Sequence, residues 1–434
     1  MNMARPSPQM APFSFEATER LPYSAAAAIF LSSYLTWRPS QDLMFTLSDA
    51  LFLLALARLI YRGRVPLEPF RFLTAFWLTG FATLIGGLLI GSIAGPAPSR
   101  WLAVSGQYLF AWVVLPMILL RRTPAQTTAM IKAFIWGVFA MNLFGVIVYF
   151  TFLGTFEDAR ALFGQDFLSG GRRLGAFTGD ANWNGAVLAM AVPFVIFLRA
   201  KALVGNALAV AWLCVILLGI MLSASFTAFT SAVAAIAIFV LVGAVRPSPR
   251  MMLVSASALV CSATLFVELG LSLPRTFVER VGNAIHNGDI SEAGTFEGRM
   301  LLMREAWGVV EHHLLVGLGA DQYRVISAYQ APVHNMFLLL WAEGGLLSLL
   351  GWIVMLAVLF ATAAKAFSAD RIATALTLSV ASTFVIASMA SPHMYARLWA
   401  VPVLLAVAVS VQVAIDDRQR RRWRGFLSMA RTAV

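Results

Sequence analysis

The sequence predicts an all-α membrane protein that crosses the bilayer about twelve times. Of its 434 residues, 60% are hydrophobic and only 12% are charged, whereas soluble domains carry roughly 25% charged residues. Apolar stretches of about 20 residues, the length of a bilayer-spanning helix, recur from one end of the chain to the other. Basic residues fall between these stretches in a regular alternation. Together these observations exclude a soluble globular domain.

Twelve apolar stretches have the composition of membrane spans. We place them at about 23–37, 43–61, 72–95, 101–120, 131–153, 184–199, 204–223, 227–245, 251–270, 335–360, 371–390 and 397–415. The chain then divides into a cytoplasmic N-terminus (1–22), transmembrane helices 1–5 (23–153), a first long periplasmic loop (154–183), transmembrane helices 6–9 (184–270), a second long periplasmic loop with an amphipathic helix (271–334), transmembrane helices 10–12 (335–415) and a basic cytoplasmic tail (416–434). Because the N-terminus is polar, we expect no cleavable signal peptide.

The distribution of lysine and arginine orients these spans. With the N-terminus inside, the cytoplasmic segments hold 21 of the 32 basic residues, the short outer turns hold three, and the two long outer loops hold eight. Positive residues concentrate in the cytoplasmic loops of membrane proteins, so we expect both termini in the cytoplasm. The net charge of +11 then reflects topology and contact with membrane lipids, as in the basic tail. We expect no nucleic-acid partner.

A transporter is the main alternative for a protein with so many spans. Transporters commonly show two similar halves and ionisable residues near the bilayer midplane. No internal repeat is present here, and Asp49, Glu268 and Glu343 lie toward the outer ends of their spans. The sequence therefore favours a function carried by the two long outer loops, which are polar and lie on the same side of the membrane.

The first outer loop carries an arginine pair, Arg172-Arg173, in the segment GRRLGAFTGDANWNG. Two forked guanidinium donors near the bilayer surface suit a phosphate or a diphosphate. Asp180 and Asn182 follow the pair and have two interpretations. Either they cap the next helix, or they support an anion site together with the arginines.

The second outer loop contains a segment with helical periodicity, EGRMLLMREAWGVVEHHLLVGLG. On a helical wheel, Met303, Ala306 and Val310 fall within about 40° of Arg299, so Arg299 projects from the middle of the apolar face. An unpaired guanidinium there would be costly. We expect Arg299 to meet an anion, which is either a substrate phosphate or a carboxylate of the protein such as Glu343 or Glu268.

A histidine and an asparagine, His334 and Asn335, stand at the start of the tenth predicted span. A histidine at a helix start is commonly no more than a polar residue at the interface. His334, however, faces the same side as both long loops, and imidazole can accept a proton from a hydroxyl. The adjacent His312 and His313 would point about 100° apart on a helix, which does not suit metal binding. We expect neither a metal ion nor another cofactor.

Taken together, these segments resemble the O-antigen ligase and polymerase superfamily. The closest correspondence is His334-Asn335, nine residues and then Gly345, which matches the family's His-Asn-x9-Gly pattern at the start of a late membrane helix. RRLGAFTGDAN is similar to the family's Arg…Gly…Asp-x-Asn segment, and GRMLLMREAWGVVEHHLLVGLG is similar to its Arg…Trp…Gly-x-Gly segment. The chain departs from the family at Ser225-Phe226, where a Ser-Arg pair is common.

The resemblance implies a C-type, multi-span glycosyltransferase in the inner membrane of a Gram-negative bacterium. It implies a glycan on undecaprenyl diphosphate as the donor and a sugar hydroxyl of lipid A–core as the acceptor. The implied function is inverting O-antigen ligation at the periplasmic face, in lipopolysaccharide biosynthesis. An O-antigen polymerase, which uses the same donor, is the second interpretation. A lipid-linked glycan flippase and a non-catalytic scaffold are interpretations from other classes.

Each candidate residue has a role under this resemblance. His334 takes the proton from the acceptor hydroxyl, and Arg299 neutralises the departing diphosphate. Further contacts to the diphosphate are expected from Arg172, Arg173, Arg275 and Arg280, and supporting roles from Asn335, Asp180, Asn182 and Glu343. Because arginines would do the work that a divalent ion often does, the activity is expected to be metal-independent. The sequence does not indicate an oligomeric state.

Overall fold

The computed structural model describes residues 21–36, 38, 44–243, 274–289, 291, 296–392 and 394–432. Apart from one short hairpin, the regular elements of these residues are helices, which confirms the predicted all-α membrane class. In chain order they are α1 (Tyr23–Phe30), α2 (Leu47–Tyr61), α3 (Thr74–Ala94), α4 (Arg100–Leu109), α5 (Leu115–Leu119), α6 (Pro124–Thr151), α7 (Phe156–Phe163), β1 (Leu168–Ser169), β2 (Arg173–Leu174), α8 (Ala181–Ala200), α9 (Asn206–Ser223), α10 (Phe226–Gly243), α11 (Arg275–Phe277), α12 (Asn283–Asn287), α13 (Phe296–His312), α14 (Tyr323–Ile326), α15 (Met336–Ala366), α16 (Arg371–Ser388) and α17 (Arg397–Thr432). Short 3₁₀ or π turns adjoin them at Arg71–Leu73, Phe110–Val114, Ala176–Thr178 and Val278–Gly282.

Nine helical stretches among the described residues are long and apolar enough to cross a membrane. They are Arg71–Ala94, Arg100–Leu119, Pro124–Thr151, Ala181–Ala200, Asn206–Ser223, Phe226–Gly243, Met336–Ala366, Arg371–Ser388 and Arg397–Asp417. The first two predicted spans correspond to α1 and α2, which have only 8 and 15 residues. At about 1.5 Å per residue, neither reaches across the roughly 30 Å hydrocarbon core. The ninth predicted span, 251–270, lies outside the described residues, so the total of twelve stays a prediction.

Helix α15, which follows His334, packs closely against α3 because glycines line the contact. A Cβ atom on Gly87 would lie 2.5 Å from Ser348 Oγ, and one on Gly91 would lie 2.6 Å from the carbonyl oxygen of Glu343. Small residues let membrane helices approach closely enough for dispersion and interhelical hydrogen bonds to hold them together. The contact therefore fixes the position of α15.

Helix α15 breaks at Gly345, a feature that the apolar pattern did not predict. Gly345 has φ 66° and ψ −169°, far from helical values. The carbonyl oxygens of Ala342 and Glu343 accept hydrogen bonds from the backbone N–H groups of Leu318 (2.9 Å) and Gly319 (2.8 Å). The Gly-x-Gly turn of the second outer loop is therefore anchored to the outer end of α15.

Contacts between helix ends agree with the predicted alternation of sides. Lys201 Nζ lies 2.5 Å from Asp370 Oδ2, and both residues come from turns predicted to be cytoplasmic. Arg100 Nε lies 2.6 Å from Asp321 Oδ2, and both come from segments predicted on the opposite side. Which of the two faces is cytoplasmic stays a prediction.

Candidate active site

A cavity of about 270 Å³ lies where the ends of several helices meet the two outer loops. Asn182 contributes from the start of α8, Arg299 from α13, and Arg280 and His334 from the second outer loop. The complete lining is Asn182, Ser225, Phe226, Thr227, Thr230, Arg280, Phe296, Arg299, Met300, Met303, His334, Ile386, Met389 and Ala390. Four of the ten residues selected from the sequence therefore share one cavity.

Arg299 reaches the cavity from the inward face of α13, as the helical wheel predicted. Ala306 and Val310 on the same face are 0% and 1% exposed. Within the described part of the chain, no carboxylate forms an ion pair with Arg299. Burial lowers the pKa of Arg299; the charge of Asp180 opposes this shift and that of Arg280 adds to it. The guanidinium is therefore available to an anion that enters the cavity.

Glu343 is not the partner of Arg299, whereas Glu268, the other carboxylate considered for that pairing, lies outside the described residues. The Glu343 side chain is buried, and its Oε1 accepts a hydrogen bond of 3.3 Å from the backbone N–H of Tyr323. The described residues also contain no ion pair between Glu343 and another arginine, although the charge of Arg324 is near. The carboxyl group lies beside the break in α15, where it accepts hydrogen bonds from backbone N–H groups of the second loop. Its support of the site is therefore indirect.

Arg173, on strand β2 of the hairpin, contacts the cavity residue Asn182 but does not line the cavity itself. Its Nε donates to the carbonyl oxygen of Ser223 (2.9 Å), and its Nη2 donates to Asn182 Oδ1 (2.8 Å). Burial lowers the pKa of Arg173 to about 10, helped by the charges of Arg280 and Arg299 and opposed by Asp180. Arg173 thus fixes the cavity residue Asn182 and places its own charge beside the two cavity arginines.

The two interpretations of Asp180 and Asn182 separate in the structure. Asp180 is the N-cap of α8, where its side chain accepts the backbone N–H of Trp183 (2.8 Å). Asn182 lies inside the first turn, bonds to Arg173 and lines the cavity. Asp180 is nevertheless close enough to be the acidic group that acts on both Arg173 and Arg299.

Arg280 projects into the cavity from the π turn Val278–Gly282. Its Nε is buried, and no hydrogen-bond acceptor for it occurs among the described residues. Burial lowers the pKa of Arg280. A buried donor of a charged group without an acceptor is expensive, and a bound anion would remove that cost. The cavity therefore combines an excess of positive charge with an unused donor.

His334 stands at the edge of this positive cluster, directly before α15. Burial, and to a smaller extent the neighbouring charge of Arg299, together lower the pKa of His334 to about 4. The imidazole is therefore neutral at pH 7 and can accept a proton. Asn335 is the N-cap of α15: its Oδ1 accepts the backbone N–H groups of Phe337 (3.0 Å) and Leu338 (3.1 Å). The asparagine thus orients the chain at His334.

Two arginines that the resemblance placed on the diphosphate do not reach the cavity. Arg172 Nη2 donates to the carbonyl oxygen of Tyr149 (2.8 Å), and the guanidinium lies 5.5 Å from the centre of that tyrosine ring. Because Arg172 occupies the left-handed turn before β2 (φ 54°), its side chain diverges from that of Arg173 and caps the end of α6 instead. Arg275 is 92% exposed and pairs on the surface with Glu279 at 2.7 Å. We therefore remove both from the predicted diphosphate contacts.

Sequence reasoning missed most of the apolar wall of the cavity. Met303 could have been identified, because it lies one helical turn from Arg299 on the wheel. Phe296 and Met300 also lie on α13, whereas the remaining apolar and hydroxyl residues come from the start of α10 and the end of α16. Only tertiary packing brings the ends of α10 and α16 to the loops. The N-terminal turn of α10 also adds the partial positive charge of a helix start.

Comparison with known proteins agrees with this geometry. Residues 209–353 match the family model Wzy_C, described as O-antigen ligase, and this region contains Arg280, Arg299 and His334. No curated protein matches the chain. The matched region also spans the complete His-Asn-x9-Gly motif that ends at Gly345. Over residues 209–353, about a third of the chain, the sequence is therefore similar to the O-antigen ligase family, which supports the resemblance to the O-antigen ligase and polymerase superfamily.

Proposed function

We propose that this protein is an O-antigen ligase, which transfers a glycan from undecaprenyl diphosphate to a sugar hydroxyl of lipid A–core. The match of residues 209–353 to the O-antigen ligase family model supports the class of reaction. The observation that supports the site is the meeting of Arg280, Arg299 and His334 in one cavity. Transfer from a diphosphate needs cationic groups for the leaving group and a base for the acceptor, and this cavity has side chains suited to both.

In the proposed reaction, the neutral imidazole of His334 accepts the proton of the acceptor hydroxyl. The hydroxyl oxygen bonds to the anomeric carbon of the donor glycan from the face opposite the diphosphate. The bond between that carbon and the diphosphate breaks, and its electron pair leaves with the diphosphate oxygen. The anomeric configuration is therefore inverted. The imidazolium then returns its proton to solvent.

The arginines would stabilise the negative charge that grows on the departing diphosphate. Arg280 and Arg299 do so from the cavity wall, while Arg173 acts beside them and holds Asn182. Removing one preorganised contact of this kind typically costs about 3–4 kcal/mol of barrier. Among the residues that the structure describes, no group of three His, Cys, Asp or Glu could hold a metal ion. We propose that transfer needs no metal ion and therefore survives excess chelator.

Donor binding and base strength are coupled in this proposal. The charge of Arg299 is one reason that the pKa of His334 is depressed. A diphosphate bound to Arg299 would neutralise that charge and add negative charge nearby, both of which raise the pKa of an imidazole. His334 would thus become a stronger base once the donor is in place.

The apolar wall of the cavity suits a lipid-linked donor. Phe226, Met300, Met303, Ile386 and Met389 lie beside the arginines, so an isoprenoid chain and its diphosphate could be held by adjoining surfaces. We propose that the cavity opens at the periplasmic face of the inner membrane, with both termini in the cytoplasm. Donor and acceptor would then meet at the membrane surface on which both are anchored.

An O-antigen polymerase is the second candidate, because it would use the same donor chemistry with a lipid-linked glycan as acceptor. The His-Asn-x9-Gly spacing favours the ligase. Deleting the gene from its host and analysing the lipopolysaccharide separates the candidates. Unextended core, with full-length glycan retained on the lipid carrier, is expected for a ligase. Core that bears a single repeat would identify a polymerase instead, and glycan trapped on the cytoplasmic leaflet would indicate a flippase.

A further inference from the structure

Arg299 and His334 reach the cavity from separate elements, so the distance between the two side chains depends on contacts between these elements. Arg299 is carried by α13, whereas His334 ends an irregular segment that begins at α14. The two residues are proposed to act on opposite partners of one reaction, so their separation must stay constant. Displacements of about 1 Å between catalytic groups can reduce rates about 100-fold.

Glu305 connects these two elements. Its Oε2 accepts hydrogen bonds from Tyr323 Oη (2.7 Å) and Ser327 Oγ (2.7 Å), and its Oε1 accepts the backbone N–H of Ala328 (2.8 Å). All three donors lie on the segment that leads to His334. One side chain of α13 thus binds three points of that segment at once.

The clamp is positioned to act on both functional groups. Glu305 follows Arg299 by six residues, which is about 9 Å along the helix axis at the rise of an α-helix. Ala328 precedes His334 by only six residues, and Val333 and Asn335 on either side of the histidine are both buried. The same segment is bound to α15 by the hydrogen bond from Tyr323 N–H to Glu343.

The ionised form of Glu305 favours strong hydrogen bonds to these three donors. Burial alone raises the pKa of Glu305, but the hydrogen bonds from Ser327, Ala328 and Tyr323 outweigh burial and hold the pKa below its ordinary value. The carboxylate is therefore ionised at neutral pH. Hydrogen bonds to an ionised acceptor are stronger than those between neutral groups.

We propose that Glu305 is a positioning residue, which sets the distance between Arg299 and His334 by clamping α13 to the segment Tyr323–Ala328. The proposal rests on the proposed function, because it assigns Arg299 to the donor and His334 to the acceptor. Glu305 does not line the cavity, so it acts through these two residues and does not touch substrate.

Three variants separate positioning from other roles. Glu305→Ala removes the three hydrogen bonds of Glu305 and leaves the hydrogen bond from Tyr323 Oη to the carbonyl oxygen of Leu302 on α13 (3.0 Å). Glu305→Gln keeps the three hydrogen bonds in altered form, since its amide oxygen can accept from Ala328 while its NH₂ group donates to the two hydroxyl oxygens. Glu311→Ala is the matched control, because Glu311 is an exposed glutamate on the same helix.

The first measurement is single-turnover transfer and donor binding on folded, purified protein. At saturating donor, we expect Glu305→Ala to slow transfer about 10- to 100-fold while the donor Kd changes less than about threefold. Glu305→Gln and Glu311→Ala should stay within about threefold of wild type. Full transfer by Glu305→Ala would overturn the proposal. So would an equal loss in Glu305→Gln, because that result would assign the effect to charge.

The second measurement needs no activity and therefore separates this proposal from the proposed function. Nitroxide labels are placed at Leu301 and Val325, which are 46% and 66% exposed, after Cys214 and Cys261 are replaced by serine. Glu305→Ala should broaden the distance distribution between the labels, and Glu305→Gln should not. An unchanged distribution in Glu305→Ala would contradict the clamp even if transfer is as proposed. Should Glu305→Ala fail to fold, the double variant Tyr323→Phe/Ser327→Ala removes two of the three donors and is expected to behave in the same way.

Discussion

Gly345 offers a direct test of how the family motif shapes this protein. Its backbone has φ 66° and ψ −169°, a region that only glycine occupies readily. In Gly345→Ala, the added Cβ would lie 2.2 Å from the carbonyl oxygen of Leu315. Because that atom belongs to the backbone, the overlap cannot be relieved by rotating a side chain. The break in α15 and the turn bonded to it would both have to move.

The magnitude follows from two contributions. Placing a non-glycine residue in such a conformation costs about 1–3 kcal/mol, and forcing an extra methyl group into a packed site costs a further 1–3 kcal/mol or so. We therefore expect Gly345→Ala to destabilise the folded state by about 2–6 kcal/mol. Since the break anchors the loop before His334, transfer activity should fall as well.

Gly86→Ala is the control for this substitution. Gly86 lies within α3, and a Cβ there would meet no atom within 4 Å. Alanine is favoured over glycine inside a helix by up to about 1 kcal/mol, so this variant should be neutral or slightly more stable. The assay is thermal unfolding in detergent, followed by circular dichroism or a thiol-reactive dye. Equal unfolding midpoints for Gly345→Ala and Gly86→Ala would refute the reasoning.

Three further predictions concern the cavity and its orientation. Because the pKa of His334 in the substrate-free enzyme is about 4, roughly 97% of the imidazole is still neutral at pH 5.5, and kcat/KM should be nearly flat from pH 8 to pH 5.5. A histidine with an ordinary pKa would be only about 9% neutral at pH 5.5, so a tenfold fall in kcat/KM would contradict the assignment. Arg280→Ala should weaken donor binding or slow transfer about 100-fold or more. Arg275→Ala removes only a surface ion pair, so its donor binding and transfer rate should stay within about threefold of wild type, and equal effects of the two substitutions would reject the division between cavity and surface arginines. A cysteine at Leu162 should react with a membrane-impermeant thiol reagent added to the periplasmic side and one at Ala125 should not, and the reverse pattern would invert the topology.

The sequence predicted the fold class well because lipid imposes a strong length and composition rule. A helix that crosses about 30 Å of hydrocarbon hydrogen-bonds its own backbone polar groups and exposes apolar side chains to lipid. Membrane spans can therefore be recognised in the sequence as apolar runs. The break at Gly345 was not visible, since a glycine within an apolar run has no unusual composition. The break is accompanied by backbone hydrogen bonds from residues 318 and 319 of the preceding loop to Ala342 and Glu343, and the composition of the apolar run does not reveal these contacts.

The candidate site was predicted in part, and the errors have a common origin. Arg299 was identified because it projects from an apolar helix face, and His334 because it begins a span on the side of the long loops; both line the cavity. Arg172 and Arg275 were grouped with them only because arginines near a bilayer surface suit phosphates. A hairpin turn directs Arg172 away from its neighbour Arg173, and an adjacent glutamate occupies Arg275. Residue type and spacing do not contain that information.

The central claim is that Arg299 acts on the donor and His334 on the acceptor, and donor binding combined with single-turnover transfer tests it most directly. In folded, detergent-purified His334→Ala, donor binding should persist while transfer falls about 100-fold or more. Arg299→Ala should weaken both, and Arg299→Lys should restore only part of the loss, because an ammonium cannot make the forked contact to a phosphate. If His334→Ala loses donor binding yet transfers at a near-normal rate with saturating donor, then His334 is a binding residue and the proposed mechanism is wrong.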